Sequence, residues 1–280
     1  MSAHAIPTPA IPRSVTRRVF PVVLVLATAL VLVFLTLPLV AVFLDVPPAD
    51  LLASLDDEGA LEALRLSLET SVLALALIVV VGTPAAWLLA TRSFPGRRLA
   101  LTLVELPLVV PPAVAGIALL AALGPQGLLG PVLDDAGITL VLQTSGVVVA
   151  LAFVASPFYV RQAIAAFENV DRDLLETSRT LGASEARTFL RVAIPVARPS
   201  LGAAAALAWG RALGEFGATL MFAGSFRGVT QTAPLAIYER FGTDFTGALA
   251  LSAVLVGVSA ALLLSVKLLS GAGWLGGAAR

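Results

Sequence analysis

The feature that most constrains this chain is a series of apolar segments, each long enough to cross a lipid bilayer. A membrane-spanning helix needs about 20 mostly apolar residues, and the bilayer offers no partner to backbone groups left unpaired within the protein. We therefore predict an all-α membrane protein with six transmembrane helices. The six segments are approximately residues 19–44, 66–90, 99–123, 138–160, 199–222 and 245–266.

The composition agrees with a membrane location and narrows the possible chemistry. Mean hydropathy is +0.96, and charged residues make up 13% of the chain, against about a quarter in soluble domains. The chain has no cysteine and a single histidine, His4, so we expect no catalytic, cofactor-binding or metal-binding residues. It also has no Gly-Lys-Ser/Thr motif, so ATP-driven transport would need a separate polypeptide that hydrolyses ATP.

The distribution of basic residues predicts the orientation. With six spans and both termini in the cytoplasm, 14 of the 18 basic residues face the cytoplasm. The exceptions are Arg65, Arg227 and Arg240 outside and Arg211 within the membrane. Because cytoplasmic loops carry an excess of Lys and Arg, this orientation is favoured, and residues 161–198 are predicted to be cytoplasmic.

The N-terminal region is predicted to hold an uncleaved first helix. The apolar run 19–44 is longer than the 7–15 residues of a signal-peptide core. An acidic outer segment follows over 45–65, with a short amphipathic helix expected inside it. The predicted division is an N-terminal region 1–64, a permease domain 65–270 and a cytoplasmic tail 271–280.

The polar stretch 171–195 lies between the fourth and fifth apolar segments and is predicted to form two short helices. Asp171 favours the start of a helix, Gly182 favours its end, and Ser184 favours a second start. Pro195 is expected to close the second helix. Two short helices around a glycine bend form a knob that fits a cleft on another protein.

The same stretch resembles the cytoplasmic coupling loop of ABC importer permeases. That family has Glu-Ala-Ala, a Gly four residues later, then an aliphatic residue and a Leu-Pro pair. Thr-Ser replaces Ala-Ala here, and Ile replaces Leu, so small and aliphatic character is kept. The matching residues are Glu176, Thr177, Ser178, Gly182, Ala183, Val192, Ile194 and Pro195.

Two further blocks, 105–120 and 211–241, resemble the molybdate transporter permease subunit, with sulfate and tungstate permeases as relatives. The resemblance implies a type I ABC importer permease fold with a cytoplasmic coupling helix. It also implies a homodimer in a bacterial cytoplasmic (inner) membrane, two cytoplasmic ATPase subunits and an external substrate-binding protein. The implied substrate is molybdate, with sulfate, tungstate or phosphate as alternatives.

The fifth segment carries an Arg and a Glu one helical turn apart. A charge at the bilayer centre costs about 2.5 kcal/mol or more, so this pair is expected to face the protein interior or a wet path. Two interpretations stay open: part of the anion path or its gate, and an intrahelical ion pair that locks the helix. The candidate path or gate residues are Arg211, Gly214, Glu215, Gly217 and Thr219.

A secondary transporter that needs no ATPase is the alternative from another class. It would be expected to carry several buried ionisable residues as an ion relay. Here Arg211 and Glu215 alone lie deep in a predicted span. Two deep ionisable residues are too few for such a relay, which favours the ABC permease over the secondary transporter.

Overall fold

The computed structural model describes residues 13–47, 49 and 57–269, with the side chains of 20–47, 49 and 57–265. Every regular element in these ranges is helical, which confirms the all-α prediction. One five-residue segment, Phe189–Ala193, is a π-helix. The α-helices are α1 (Arg13–Leu44), α2 (Glu58–Thr91), α3 (Arg97–Val109), α4 (Pro112–Leu123), α5 (Gly130–Asp135), α6 (Thr144–Glu168), α7 (Arg172–Thr180), α8 (Glu185–Thr188), α9 (Ile194–Leu213), α10 (Gly217–Ala223), α11 (Ala233–Phe241) and α12 (Phe245–Leu269).

Five helical runs in the described residues are long and apolar enough to span a membrane: α1, α2, α6, α12 and the continuous run Glu185–Leu213. The third predicted span is instead two shorter helices, α3 and α4. The break falls at Val110 and Pro111, whose ψ angles are 127° and 137°. Each precedes a proline, and this position disfavours helical backbone. Pro112 then opens α4, where its missing N–H is harmless.

The fifth predicted span differs most from the structure. The expectation was one helix over 199–222, but the helical run already begins at Glu185 and ends at Leu213. Residues 214–216 are not helical, and α10 resumes at Gly217. Glu215 therefore lies in a helix break. The predicted intrahelical ion pair instead joins Arg211, in the last turn of α9, to Glu215 beyond the end of that helix.

The second span also begins earlier than predicted. Asp57 caps α2 by accepting a hydrogen bond from the Ala60 N–H at 3.1 Å, so the helix starts at Glu58 and includes the end of the acidic segment. Residues 48 and 50–56, where the short amphipathic helix was expected, lie outside the described residues.

The main core is formed where α2, α6 and α9 pack together through small side chains. Within it, Thr83 and Tyr159 share a hydrogen bond of 2.7 Å. The Thr83 hydroxyl already donates to the Val79 carbonyl, so Tyr159 is the donor of that bond. This hydrogen bond gives both buried hydroxyl groups a partner within the protein.

Two smaller apolar clusters lie beside the main core among the described residues 57–265. One joins α4, α10 and the first half of α6, and the other joins α2, α11 and α12. The helix α1 belongs to a separate compact unit, residues 1–47, and contains Pro21 and Pro38. The first turns of α2, which contain Ala60, Ala63 and Leu64, thus pack in a cluster distinct from the main core.

Candidate functional site

The predicted coupling stretch folds as a knob of two short helices, α7 and α8. Asp171 accepts a hydrogen bond from the Asp173 N–H at 2.9 Å, and Ser184 accepts one from the Arg187 N–H at 3.3 Å. Both predicted helix starts are confirmed. Gly182 has φ +83°, a left-handed conformation that side chains disfavour, and it makes the bend between the helices.

A hydrogen bond across the bend holds the two helices of the knob together. Ser178 on α7 and Thr188 on α8 share it at 3.0 Å, and Thr188 is fully buried. Leu175 is buried beneath them. At the tip, Leu181 is 82% exposed. The knob is thus braced internally and presents an apolar side chain outward.

Pro195 does not close the second helix, contrary to the prediction. The chain passes from α8 through the π-helical segment into α9 without a break. The Ile194 N–H donates to the Phe189 carbonyl, the wider hydrogen bond of a π-turn. Pro195 has no backbone N–H to donate. It follows the widened turn and lies in the first positions of α9, so the helix continues past it.

The knob is anchored at its base by aromatic and ionic contacts. Phe189 lies 5.4 Å from Trp87 on α2 and 6.0 Å from Phe167 on α6, measured between ring centroids. Arg92, directly after α2, forms an ion pair with Glu185 at 2.6 Å. The hydrogen bond that Arg92 donates to this carboxylate, together with the negative charge of Glu185, raises the pKa of Arg92 above its usual value. The base of the knob therefore touches two of the three core helices.

The structure distributes the predicted coupling residues over this knob and its exit. Glu176 is exposed, and its carboxylate has no ion pair or hydrogen bond with any described residue. The side-chain hydrogen bond between α7 and α8 is made by Ser178 and not by Glu176. Their positions are Glu176, Thr177 and Ser178 on α7, Gly182 and Ala183 in the bend, Val192 in the π-helical segment, and Ile194 and Pro195 at the start of α9.

The second candidate site lies at the break between α9 and α10. Arg211 forms an ion pair with Glu215 at 2.6 Å, and the two side chains are 27% and 1% exposed. The other oxygen of Glu215 accepts a hydrogen bond from the Ala218 N–H at 2.8 Å. Glu215 therefore ties the end of α9 to the start of α10. Thr219, on α10, is buried, and its hydroxyl has no partner among the described residues.

The glycines around the break have different surroundings. A Cβ on Gly217 would lie 2.9 Å from the Pro112 Cβ, so α10 needs glycine there to pack against the start of α4. Gly210 has open space, and Gly214 is exposed. Of these three glycines, Gly217 alone has the backbone of another helix close to it, with the Ala113 N 3.1 Å from where its Cβ would be. At Gly116 on α4, the Ala218 carbonyl of α10 lies 2.7 Å from where a Cβ would be.

Sequence reasoning missed a polar stripe on α2. Ser67, Thr70 and Ser71 are buried; Ser67 accepts a hydrogen bond from the Ala233 N–H at 2.7 Å, and Ser71 accepts one from Trp209 at 2.9 Å. Their spacing of three and four residues, which places them on one face of the helix, was the available signal. The stripe links α2 to α9 and α11.

An all-helical chain with several apolar spans and a braced polar knob between two of them has the architecture of a transporter's membrane-spanning component. Residues 79–273 match the protein family described as "Binding-protein-dependent transport system inner membrane component". The chain belongs to this family. It is a multi-pass membrane permease of such a transport system.

Individual relatives agree with this assignment. A molybdenum transport system permease protein, ModB of Mycobacterium tuberculosis, is 41% identical over 235 residues, which cover 84% of this chain and 89% of ModB. A sulfate transport system permease protein, CysW of Synechococcus elongatus, is 36% identical over 206 residues and 72% of each chain.

The fold itself matches a solved structure. A bacterial ABC transporter involved in the import of the acidic polysaccharide alginate superposes with a TM-score of 0.72 at 18% identity. The match covers 92% of this chain and 97% of that chain. The predicted ABC importer permease fold is confirmed.

Proposed function

We propose that this chain is the permease subunit of an ABC importer that carries molybdate across the cytoplasmic membrane. The observation that carries the proposal is the 41% identity to ModB over most of both chains. Similarity to the sulfate permease CysW is lower and covers less of the chain, so sulfate is the second candidate, with tungstate beside it.

The proposed assembly is a homodimer of this chain with two cytoplasmic ATPase subunits and an external substrate-binding protein. Dependence on a binding protein is part of the family's description. The sequence holds no Gly-Lys-Ser/Thr motif, so the ATPase is assigned to other subunits and this chain is not an enzyme. The assembly lies in a bacterial inner membrane with both termini of the chain cytoplasmic, and 65–270 is the permease domain.

The knob is proposed to be the coupling element that docks in a cleft of the ATPase. Leu181 at its tip and the carboxylate of Glu176 are exposed and available to a partner. Gly182 and the Ser178–Thr188 hydrogen bond fix its shape. Movement of the knob is passed to α9 because the helical run Glu185–Leu213 is continuous. The two permease copies then rock as rigid bodies between inward and outward states.

The break between α9 and α10 is proposed to lie beside the translocation path. The side chain of Arg211 is partly exposed, and Gly214, three residues further on, is exposed, so both are assigned to the path. Glu215 and Gly217 are assigned to positioning, because one is buried against Arg211 and the other packs against Pro112. The unpartnered hydroxyl of Thr219 is a candidate contact of the gate.

Uptake of labelled molybdate, tungstate and sulfate by the reconstituted complex tests the proposal. We expect ATP-dependent uptake in which unlabelled molybdate competes better than sulfate. Preference for sulfate would assign the chain to the second candidate. Uptake by the permease without any ATPase subunit would contradict an ABC importer and favour a secondary transporter.

A further inference from the structure

An ion pair between Glu105 on α3 and Arg161 on α6 takes no part in the function proposed above. The Arg161 Nε lies 3.6 Å from a carboxylate oxygen of Glu105, and the two side chains are 65% and 49% exposed. An N–H···O hydrogen bond spans about 2.7–3.2 Å, so Arg161 donates none to Glu105. The opposite charges attract, while the guanidinium donors of Arg161 stay available to another anion.

This pair is the second of two ionic links between α3 and α6. Arg97, the first residue of α3, pairs with Glu168, the last residue of α6, at 3.2 Å. Glu105 lies eight residues further along α3, and Arg161 lies seven residues back along α6. The two helices therefore run antiparallel, and the second pair lies about 10–12 Å from their paired ends. Glu105 is thus inside the third predicted span, in its cytoplasmic part.

Helix α3 has two exposed faces of opposite character, and none of its residues is buried. Arg98, Thr102 and Glu105 are all exposed, and their spacing of four and three residues places them on one face, the polar stripe of α3. The other exposed stripe is apolar and consists of Leu99, Leu103 and Leu106. Each leucine follows a residue of the polar stripe, so the two stripes lie about 100° apart around the axis. The apolar stripe suits lipid, whereas charged residues in a span face a protein interior or a water-filled cavity.

The polar stripe of α3 leads towards the break that we assign to the translocation path. Helix α3 ends at Val109, and Pro112 opens α4 after the break at residues 110–111. A Cβ on Gly217, the first residue of α10, would lie 2.9 Å from the Pro112 Cβ. The break after α3 is therefore next to the break after α9, which holds Glu215. The stripe runs from the start of α3 towards this meeting point.

We infer that the polar stripe of α3, together with Arg161, lines the cytoplasmic half of the translocation path, and that Arg161 contacts the passing oxyanion there. The planar guanidinium matches the oxygens of such an anion. Glu105 beside it lowers the net positive charge, and a path must bind its ion weakly enough to release it. The inference rests on the proposed function for the class of substrate and for the cytoplasmic position of the start of α3.

The reaction rates of two single cysteines on α3 test whether the polar stripe faces water. Thr102→Cys lies on the stripe, and Leu103→Cys, the matched control, lies on the apolar stripe one residue away. The measurement uses a water-soluble methanethiosulfonate reagent on inside-out membrane vesicles, without nucleotide and with ATP. We expect Thr102→Cys to react about tenfold faster or more, because a thiol away from water ionises less and the thiolate is the reacting form. Equal rates at the two positions would overturn the inference.

Reagents of opposite charge test the role of Arg161 at the same cysteine. The ratio of the rates with sulfonatoethyl and trimethylammonioethyl methanethiosulfonate measures how well anions enter. Arg161→Gln should lower this ratio about fivefold, the effect of one unit charge at close range in water. Glu105→Gln should raise it. Glu168→Gln removes the other ionic link between the same helices and should leave the ratio nearly unchanged. No change with Arg161→Gln, or the same change in all three variants, would contradict an anion contact at Arg161.

Uptake by the reconstituted complex separates an anion contact from a link that only holds α3 against α6. We expect Arg161→Gln to lower oxyanion uptake, Arg161→Lys to recover part of it, and Glu168→Gln to transport like the parent. Equal losses in Arg161→Gln and Glu168→Gln would show a structural link and overturn the inference. The reagent rates need neither substrate nor ATPase, so they can contradict the inference while the proposed function stands. Failure of the parent complex to import any oxyanion would contradict the proposed function and leave the reagent rates as the test of a water-filled path.

Discussion

Gly182 sets the direction of the chain between α7 and α8 through its backbone conformation alone. Its φ is +83°, and a Cβ placed there would meet no atom within 4 Å. Any effect of substitution at this position therefore comes from backbone strain and not from a clash. A non-glycine residue pays about 1–2 kcal/mol for left-handed backbone, and asparagine tolerates it better than other residues.

We expect Gly182→Val to weaken binding of the ATPase subunit, because relaxing the strain would move Leu181 and the rest of the tip. Gly182→Asn is the matched control and should bind nearly as well as the parent. Co-purification of the ATPase with each variant, at equal membrane insertion, measures the effect. Normal co-purification and transport by the valine variant would show that this bend is not the coupling element.

Glu215 and Arg211 form an ion pair but differ in how deeply their side chains are buried. The side chain of Glu215 is 1% exposed, whereas the side chain of Arg211 is 27% exposed. Removing one member of a buried pair costs about 3–5 kcal/mol when it leaves the other charge buried. The charge left behind is more deeply buried if Arg211 is the residue removed.

We therefore expect Arg211→Gln to lower stability more than Glu215→Gln, in which the amide oxygen still accepts the Ala218 N–H. The double variant should recover stability because both charges are gone. Thermal unfolding in detergent gives the three stabilities, and a double-mutant cycle gives the coupling. Uptake then separates the roles: a stable double variant that transports normally would contradict a path role for Arg211.

Helices α4 and α10 approach each other closely at Gly116. A Cβ at Gly116 would lie 2.6 Å from the Met221 Cβ and 2.7 Å from the Ala218 carbonyl oxygen, so one of the two helices would have to move. Adding even one methyl group to a packed contact costs about 1–3 kcal/mol.

Gly116→Ala is accordingly expected to lower the thermal midpoint, while Gly210→Ala, with nothing within 4 Å of the new methyl, should leave it unchanged or raise it slightly. Both replace glycine by alanine inside a helix, so intrinsic helix propensity alone predicts a gain for each. A similar midpoint for both variants would show that α4 and α10 do not pack this closely.

The sequence predicts those elements that have a local signal and misses those that depend on contacts between distant segments. Apolar length located α6 and α12, and Asp171 and Ser184 located the starts of α7 and α8, because each of these signals is local. The break at residues 214–216 was missed, although Gly214 and Glu215 lie in it, because the segment 199–222 as a whole has the length of a single span. Contacts such as Ser178 with Thr188 or Gly116 with Ala218 depend on how segments fold back, which no local pattern specifies.

The molecule connects an exposed knob to a buried ion pair through one helical run. Glu185–Leu213 contains 29 residues, about 43 Å of helix at 1.5 Å per residue. Phe189 fixes the run to α2 and α6 near its start, and Trp209 donates to Ser71 of α2 near its end. We therefore expect a displacement of the knob to reach the break at residues 214–216 as a rigid movement.

The knob can act on a cytoplasmic ATPase only if it lies in the cytoplasm. Two cysteine variants test this location. The chain has no cysteine, so each new thiol is unique. Ala186 is exposed on the knob and caps no helix, whereas Leu128 is 88% exposed in the loop predicted to face outward. In intact cells, a membrane-impermeant maleimide should label Leu128→Cys and leave Ala186→Cys unlabelled until the membrane is permeabilised. This expected labelling follows from the excess of Arg and Lys on the cytoplasmic side in the predicted topology. Labelling of Ala186→Cys from outside, with Leu128→Cys protected, would invert the topology and remove the knob from reach of any cytoplasmic ATPase.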